Sequence, residues 1–511
     1  MGAVDWAVFA GYLAGIVLLA AVFVRRVGDT GEYFLARRSM GWFPIGLSIM
    51  VTAFSAVNYT AFSGEVSAHG LYAMLSLPVF VIVAWPINRL IMPFYHSMRL
   101  CTAYEYLQRR FDARVRRLAS GLFMLWRVAW MAVALYVPCR VLNMVTGLPL
   151  YGVILVAGGV ATLYTVAGGM RSVMWTDVAQ FFVLLGGLVV GIAMASGAAP
   201  GGLGGMLREG VAAGLARPFY PFDPAVLSPS PAVRISIWSA LIGTSVAFLA
   251  RYGADQVMVQ RYLTARSLRD ARLGFHLNYA AALLTLTLLA LLGFAIRAHA
   301  AQAGLLGASG VKPIGYFAAF VLAMPRGVTG LIVAGLFAAT MSSVDSGVNS
   351  CSAAFVNDFQ MKRPALDGPQ EPQGEKRRLL EGRLMTVAFG LAAVGAAFYV
   401  GRLGTIFEIA NKIINSLGSP LLALLLLGMF SRRSNAPGML IGGAVGAAWS
   451  VAAPLLIKNL SLHYYAVVNL LVTLGACYAC SLLATSLGHR PPDESAKWTW
   501  WRWRLTPRRE G

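Results

Sequence analysis

The sequence predicts an all-α polytopic membrane protein with about 13 transmembrane helices. Two observations lead to this prediction. Of the 511 residues, 58% are hydrophobic and 12% are charged, whereas typical soluble domains contain about 25% charged residues. In addition, apolar segments of about 20 residues, the length of a helix that crosses a bilayer, recur along the chain. Together these features exclude an ordinary soluble domain.

The apolar segments give the predicted spans in chain order. The first begins "MGAVDWAVFAGYLAGIVLLAAVFVRR" and has neither a basic segment before its apolar run nor a small-residue cleavage site, so we expect a retained helix rather than a signal peptide. The spans lie near residues 5–25, 41–66, 73–96, 118–145, 149–168, 175–197, 234–252, 274–297, 328–356, 384–401, 404–430, 436–456 and 463–487.

The distribution of charge predicts the orientation of the chain. Lysines and arginines collect in alternate loops, which fall on one side of the membrane: 25–38, 109–117, 261–272, 362–378, 432–433 and 502–509. Because cytoplasmic loops are enriched in Lys and Arg, we expect the N-terminus outside and the C-terminus in the cytoplasm, in a plasma membrane or a bacterial inner membrane. The net charge of +21 is then explained by topology and by contact with the lipid bilayer, not by nucleic acid.

No part of the sequence is long enough for a second globular domain. The longest polar segments lie near 198–233 and 357–383. No P-loop is present, and the predicted spans contain no H-E-x-x-H or G-x-S-x-G sequence. We therefore expect a protein that is not an enzyme, and no segment indicates an obligate protein partner.

One face of the predicted helix at 328–356 carries small and polar side chains. Their helical spacing places them together, with Asp345 at the edge: Ala339, Ser342, Ser343, Ser346 and Ser350. A carboxylate in hydrocarbon is unfavourable, by roughly 2.5–3.5 kcal/mol on insertion scales, and therefore indicates function. Oxygen ligands without His or Cys suit a hard monovalent cation. The alternative is a seam of small residues that allows close helix packing.

The second span contains the segment "MVTAFSAVNYTAFSGEVSAHG" at 50–70, which is crowded with Ser, Thr, Asn and Gly. A cation site needs more oxygens than one intact helix offers, because the helix commits its carbonyls to internal hydrogen bonds. We therefore predict that this helix is unwound near Thr52 to Asn58, so that freed carbonyls face the bundle interior.

Three segments resemble signatures of the sodium/solute symporter family: "YTVAGGMRSVMWTDVAQFFVLLGG" at 164–187, "YGADQVMVQRYL" at 252–263 and "AATMSSVDSGVNS" at 338–350. The segments "TAYEYLQRRF" and "YVPCRVLNMVTGL" are similar to the branch that contains iodide, multivitamin and monocarboxylate symporters. The resemblance implies a leucine-transporter-type fold of two inverted five-helix repeats after an extra N-terminal helix. The implied division is 1–40 (extra helix and basic loop), 41–197 (first repeat), 198–233 (external loop), 234–430 (second repeat) and 431–511 (two further helices and a tail).

The resemblance also implies the positions of bound Na⁺, the coupling ion. The principal site corresponds to the backbone carbonyls of Val51, Phe54 and Ala339 with the hydroxyls of Ser342 and Ser343. A second sodium site corresponds to Asp177, Ser342, Asp345 and Ser346. Asp345 departs from the hydroxyl that is usual at its position, so it either strengthens a second cation site or carries a proton instead.

For the solute, the resemblance points to Asn58, Trp130, Phe248, Arg251 and Lys412. Depth adds Arg127, which lies about ten residues, or roughly 15 Å, into its span and so near the midplane. A buried guanidinium needs an anion. This anion is either a solute carboxylate or an internal acid, unless the side chain reaches the basic side of the membrane. Lys412 has Glu408 four residues earlier as a helical partner, and Arg251 could belong to the basic rim.

These features predict a sodium-coupled secondary active symporter that imports a small solute by alternating access. Several cationic side chains near the cavity favour an organic anion such as a carboxylate. The alternatives are a proton-coupled symporter, a symporter for a neutral solute such as a sugar or amino acid, and a membrane sensor or channel of the same fold. Polar sites at the midplane and the lack of a signalling domain in the sequence favour the transporter.

Overall fold

The computed structural model describes residues 1–24, 27–306, 313–360, 372–402, 406–457, 460–461, 463–489 and 497–503, except for the side chains of 313, 372–373 and 406–416. These residues form helices joined by turns. Across the described ranges there is no β-strand, and one isolated bridge joins Met40 and Ala265. The all-helical class predicted from composition is therefore confirmed.

The long helices follow the predicted spans. In chain order they are α1 (Ala3–Val24), α2 (Trp42–Ala53), α3 (Asn58–His69), α4 (Leu71–Ser97), α5 (Ala113–Thr146), α6 (Leu150–Ala198), α7 (239–254), α8 (Gln256–Leu263), α9 (Leu268–Gln302), α10 (Pro313–Leu322), α11 (Val328–Asp358), α12 (Pro372–Val400), α13 (Ile406–Phe430), α14 (Ala436–Leu456) and α15 (Tyr464–Ser486). Shorter helices lie in the connections at Thr30–Leu35, Glu105–Arg110, Gly202–Ala212 and Trp500–Trp503.

Within the described residues, nine helices are long and apolar enough to cross a membrane, or ten if the bent pair α2 and α3 is one span. One of the nine, α6, has 49 residues, far more than the about 20 that cross a bilayer. At Gly169 its backbone leaves the helical conformation, with φ 62° and ψ −168°. This interruption divides α6 into the two spans predicted at 149–168 and 175–197. The helices α7 and α13 correspond to the spans predicted at 234–252 and 404–430. Every predicted span therefore coincides with a helix.

Gly169 is required at the interruption of α6 for two reasons. Its positive φ is unfavourable for residues that have a Cβ atom. In addition, a Cβ atom built there would lie 3.0 Å from the backbone oxygen of Tyr33. The segment before α2 can therefore pack directly against the bend only because the side chain is absent.

The helix formed by α2 and α3 is broken where the sequence predicted unwinding. The axes of the two helices differ by 62°, and Phe54, directly after α2, has extended backbone angles of φ −105° and ψ 98°. The chain is therefore not helical at Phe54 and Ser55, which lie between Thr52 and Asn58. The prediction of a discontinuous helix at this position is confirmed.

A second break separates α7 from α8 at Asp255. Its backbone is extended (φ −78°, ψ 120°), and its carboxylate accepts a 3.0 Å hydrogen bond from the backbone N–H of Val257, as N-capping residues do. The chain continues as helix to Leu263. Arg261 therefore lies inside α8 and is fully buried, so its assignment to a basic loop was wrong.

The helix α11 lies at the centre of the protein. Every residue from 332 to 354 is buried, because α11 packs against α1, α2, α5, α6 and α12. A helix that is enclosed on all sides faces protein rather than lipid. Its serines and Asp345 therefore lie where other helices can supply hydrogen-bond partners. Because α11 does not face lipid, its surface can include polar side chains.

Candidate functional site

The end of α2 meets the polar face of α11 in the middle of the protein. The hydroxyl of Ser343 donates to the carbonyl of Thr52 (3.3 Å) and to that of Ala339 (3.2 Å). The hydroxyls of Thr52 and Ser342 are 3.2 Å apart. All four residues are buried. The serines of the predicted face are thus directed at the break between α2 and α3.

The break also frees the carbonyl oxygens that the sequence predicted. Among the described residues, no backbone N–H donates a hydrogen bond to the carbonyl of Val51 or Phe54. Thr52, which lies between Val51 and Phe54 in the chain, contacts the hydroxyls of Ser342 and Ser343 on α11. The hydroxyl and carbonyl oxygens at this junction are neutral and belong to buried residues, a type of donor that fits a partly dehydrated monovalent cation.

The guanidinium of Arg261 lies immediately beside this group. It donates to the hydroxyls of Ser48 (2.8 Å), Thr52 (2.7 Å) and Ser346 (2.5 Å) and to the carboxylate of Asp177 (3.0 Å). Arg261 and Asp177 are both fully buried. Two of the residues predicted for a second sodium site, Asp177 and Ser346, therefore bind an arginine of the chain itself.

Asp345 has different partners from Asp177. One of its carboxylate oxygens accepts a hydrogen bond from the hydroxyl of Tyr164 (2.8 Å). The other accepts from the backbone N–H and the hydroxyl of Ser346 (2.5 and 3.2 Å). No lysine or arginine whose side chain is described lies within 4.0 Å of this carboxylate. Asp345 is therefore a fully buried acid that only neutral groups hold directly.

Gln260, the residue before Arg261, also joins α8 to α11. Its amide nitrogen donates to the side chain of Asn349 (3.0 Å) and to the carbonyl of Phe34 (2.6 Å), and its oxygen accepts from Ser350 (2.6 Å). Asn349 and Ser350, which lie on α11 beyond the contacts with α2, thus hold α8 in place.

A cavity of about 150 Å³ lies beside the two breaks. Four of the predicted solute residues line it: Asn58, Trp130, Phe248 and Arg251. The guanidinium of Arg251 stands 5.7 Å from the centre of the Phe248 ring, and among the described side chains no carboxylate lies within 4.0 Å of it. The cavity therefore combines aromatic walls with a cation that forms no direct ion pair with a described carboxylate.

Arg127, the other predicted cation, is paired inside the protein. It forms a buried ion pair with Asp255 at the break between α7 and α8, and its guanidinium also lies 5.4 Å from the ring centre of Trp126. The sequence left three possibilities for Arg127: a solute carboxylate, an internal acid, or the basic side of the membrane. The structure shows the internal acid. Lys412 belongs to the part of α13 whose side chains lie outside the described residues, so its predicted role has no structural counterpart.

A histidine from the loop before α15 completes the cavity. Desolvation of the His463 ring, together with the nearby guanidinium of Arg234, lowers the pKa of His463 to about 4. The imidazole is therefore neutral at physiological pH. Of these two basic side chains that line the cavity, only Arg251 carries a positive charge under those conditions.

The residues of the site that were not identified from the sequence include Asp255, Tyr164 and Arg261. Arg261 had one usable signal, since it lies in "VMVQRYL", among apolar residues and five positions before the next arginine. Asp255 had another, because an acid followed by a helical pattern is a typical N-cap. The importance of Tyr164 had no local signal, since it depends on the distant Asp345.

The sequence is similar to a known family and to several proteins named as sodium-coupled transporters. The model of the sodium:solute symporter family matches residues 33–446. The sodium-dependent multivitamin transporter of Oryctolagus cuniculus is 32% identical over 428 residues, 82% of this chain and 65% of that protein. The sodium-coupled monocarboxylate transporter 1 of Mus musculus is 28% identical over 454 residues, 88% of this chain and 72% of that protein.

The fold has a close counterpart among solved structures. A substrate-bound, outward-open Na⁺-coupled sialic acid symporter aligns with a TM-score of 0.82 and 24% identity, covering 94% of this chain and 98% of that one. At this level of identity the likeness concerns the fold. It confirms the leucine-transporter-type architecture with broken helices that the sequence predicted.

Proposed function

Because the chain belongs to the sodium:solute symporter family, we propose that it couples the downhill entry of Na⁺ to the import of a small organic anion. Na⁺ is the coupling ion of this family. The observation that carries the anionic part of the proposal is Arg251, a cavity cation with no described carboxylate within 4.0 Å, since the nearby Asp255 is paired with Arg127.

The proposed sodium ligands are the oxygens at the junction of α2 and α11. They are the carbonyls of Val51, Phe54 and Ala339 and the hydroxyls of Ser342 and Ser343, and the contact between Ser343 and Thr52 supports the assignment because it joins the two helices at this point. An ion held by both helices stabilises the arrangement in which they are close. Sodium and solute then bind with a favourable coupling free energy, because both prefer the same arrangement.

The proposed solute site is the cavity between Trp130 and Arg251. Arg251 presents a guanidinium that can donate two parallel hydrogen bonds to a carboxylate, while Phe248 and Trp130 provide apolar walls for a hydrocarbon part. Asn58, the first residue of α3 after the break, adds a polar group to the cavity wall. Two similar proteins are named for solutes that carry carboxylates, monocarboxylate and sialic acid, which supports an acid.

The orientation and internal division are part of the proposal. We place the basic loops in the cytoplasm and the N-terminus outside, in a plasma membrane or a bacterial inner membrane, because Lys and Arg collect on one side. The proposed repeats are 41–197 and 234–430. Their broken helices, α2 with α3 and α7 with α8, then occupy equivalent positions, one in each repeat, as expected for inverted-repeat transporters.

The test is uptake by proteoliposomes that contain the purified protein. Matched labelled solutes, such as a short carboxylic acid, its amide and its alcohol, are offered with an inward Na⁺ gradient and with the same gradient of K⁺. We expect concentrative uptake of acids in Na⁺ alone. Uptake of the amide equal to that of the acid would replace the anion by a neutral solute, and downhill uptake without Na⁺ dependence would contradict symport.

A further inference from the structure

We infer that a groove between α13 and α15 binds an anionic phospholipid, with the phosphate at Arg432 and Arg433 and an acyl chain along the groove. The groove shares no residue with the solute cavity. The inference therefore concerns a separate site and goes beyond the proposed symport.

The walls of the groove are suited to hydrocarbon. Its volume is about 510 Å³, within the range of roughly 300–1,000 Å³ that is usual for ligand sites. It runs along two helices that we place in the membrane, so the acyl chains of the bilayer can reach it directly. The apolar and aromatic side chains that line it are half-buried: Leu426, Leu427, Phe430, Leu474 and Tyr478.

Two cations stand at the end of the groove. Arg432 and Arg433 line it directly after α13 and are exposed, and among the described side chains no carboxylate lies within 4.0 Å of either guanidinium. The sequence offers few acids here, since it has no Asp or Glu between Glu408 and Asp493. Each guanidinium can donate two parallel hydrogen bonds to a phosphate group.

The loop that carries these arginines is fixed at both ends. Before it, the buried guanidinium of Arg110 donates to the carbonyls of Gly428 (3.2 Å) and Ser431 (2.8 Å). After it, the side chain of Asn435 accepts from the backbone N–H of Gly438 (3.0 Å) and donates to α15 at the carbonyl of Ser481 (2.9 Å). A site whose backbone is already ordered loses less entropy when a ligand binds.

The short helix Trp500–Trp503 indicates where the membrane surface lies. The indole N–H of Trp501 donates to the carbonyl of Phe430 (3.1 Å), and the ring centres of Phe430 and Trp500 are 6.1 Å apart. Trp501 remains exposed. Because tryptophan side chains favour the level of the lipid headgroups, the end of α13 and the arginines after it lie at the depth of the phosphates.

These features together favour one class of ligand. A free phosphate would leave the apolar walls uncovered, and a zwitterionic headgroup carries an ammonium that two guanidiniums repel. An anionic phospholipid satisfies both parts of the groove, as expected for basic pockets between membrane helices.

The experiment compares lipids that have the same acyl chains. Purified full-length protein in detergent is titrated with dioleoyl phosphatidylglycerol, with dioleoyl phosphatidylcholine or with inorganic phosphate. The midpoint of thermal unfolding is followed, and native mass spectrometry counts the lipids that stay bound. We expect a saturable rise of the midpoint with one phosphatidylglycerol retained per chain, since a ligand of the folded state stabilises it. Phosphatidylcholine should bind more weakly, and phosphate should have no effect.

A double variant tests the position of the site. Arg432→Gln with Arg433→Gln should weaken phosphatidylglycerol binding roughly 10- to 30-fold, to the level of phosphatidylcholine, because two basic groups near an anionic headgroup are lost. Lys376→Gln with Arg377→Gln is the matched control. It also removes two exposed charges, but from α12, which packs against α5, α6 and α11, and lipid binding should not change.

Equal affinity for the two lipids would overturn the recognition of charge, and a shift produced by phosphate alone would replace the lipid by a soluble anion. An equal loss in the control variant would mean that the overall charge of the protein, rather than the groove, attracts the lipid. Because both arginines are exposed, we expect the double variant to fold, and the comparison of lipids in the wild type decides independently of it.

Discussion

Arg127 and Arg251 lie next to the same small space between α5 and α7, yet they have different partners. Arg127 is ion-paired with Asp255 and so contributes little net charge. Arg251 lies over Phe248 and has no described carboxylate within ion-pair distance. We therefore propose that Arg127 holds helices together, whereas Arg251 offers its charge to a ligand. Position near the midplane alone did not distinguish these roles.

The largest effect is expected from breaking the internal pair. Arg127→Gln leaves Asp255 buried without its cation, so the protein should lose about 3–5 kcal/mol of stability. Thermal unfolding of the detergent-solubilised protein measures this loss. The double variant Arg127→Met with Asp255→Leu removes both charges and should recover much of it. A single variant as stable as the wild type would mean that this pair does not hold α5 to α7.

The next effect is expected at the unpaired arginine. Arg251→Gln removes a charge-assisted hydrogen bond to the solute, so the affinity for acids should fall by about 1.5–3 kcal/mol, or roughly 10- to 150-fold. Competition of a series of acids and amides for uptake measures the change, and amides should be unaffected. Arg251→Lys should retain part of the affinity. Equal losses for acids and amides would assign Arg251 to packing rather than to charge recognition.

Two serines of α11 allow a further comparison. The hydroxyl of Ser343 donates to the carbonyl of Thr52 at the end of α2 (3.3 Å), while Ser352, which is not a proposed ligand, donates to the carbonyl of Gly382 (2.6 Å). Ser343→Ala should weaken sodium binding by about 1–3 kcal/mol, since one buried ligand is lost. Ser352→Ala is the matched control and should change only stability. Sodium titration of both variants makes the comparison, and an unchanged Ser343→Ala would remove this hydroxyl from the site.

The smallest effect concerns the histidine of the cavity. Because the pKa of His463 is lowered to about 4, the ring gains a proton only below that pH and stays neutral between about pH 5.5 and 8. The charge that it contributes to the cavity is therefore constant over this range. We expect His463→Gln to leave the pH profile of uptake unchanged when the solute is a sulfonate, whose own charge is also constant. A profile that flattens in the variant would show that His463 titrates in this range.

Much of the architecture was predictable because it depends on neighbouring residues. Apolar stretches identified the spans, helical spacing grouped Ala339 with Ser342 and Ser343, and the run of polar residues from Thr52 to Asn58 located the first break. Hydrophobicity, helical period and backbone hydrogen bonding act over one or two turns, so a short window contains the information.

The sequence by itself thus indicated the places of the long helices, the first break and the polar face of α11. The tertiary structure alone decided which charges are neutralised. Arg127 pairs with a residue 128 positions away and Arg261 with one 84 positions away, while no described carboxylate lies within 4.0 Å of Arg251. In a medium of low dielectric constant the fate of a charge depends on the few ångströms around it. Those few ångströms are set by helices that meet only after the chain has folded.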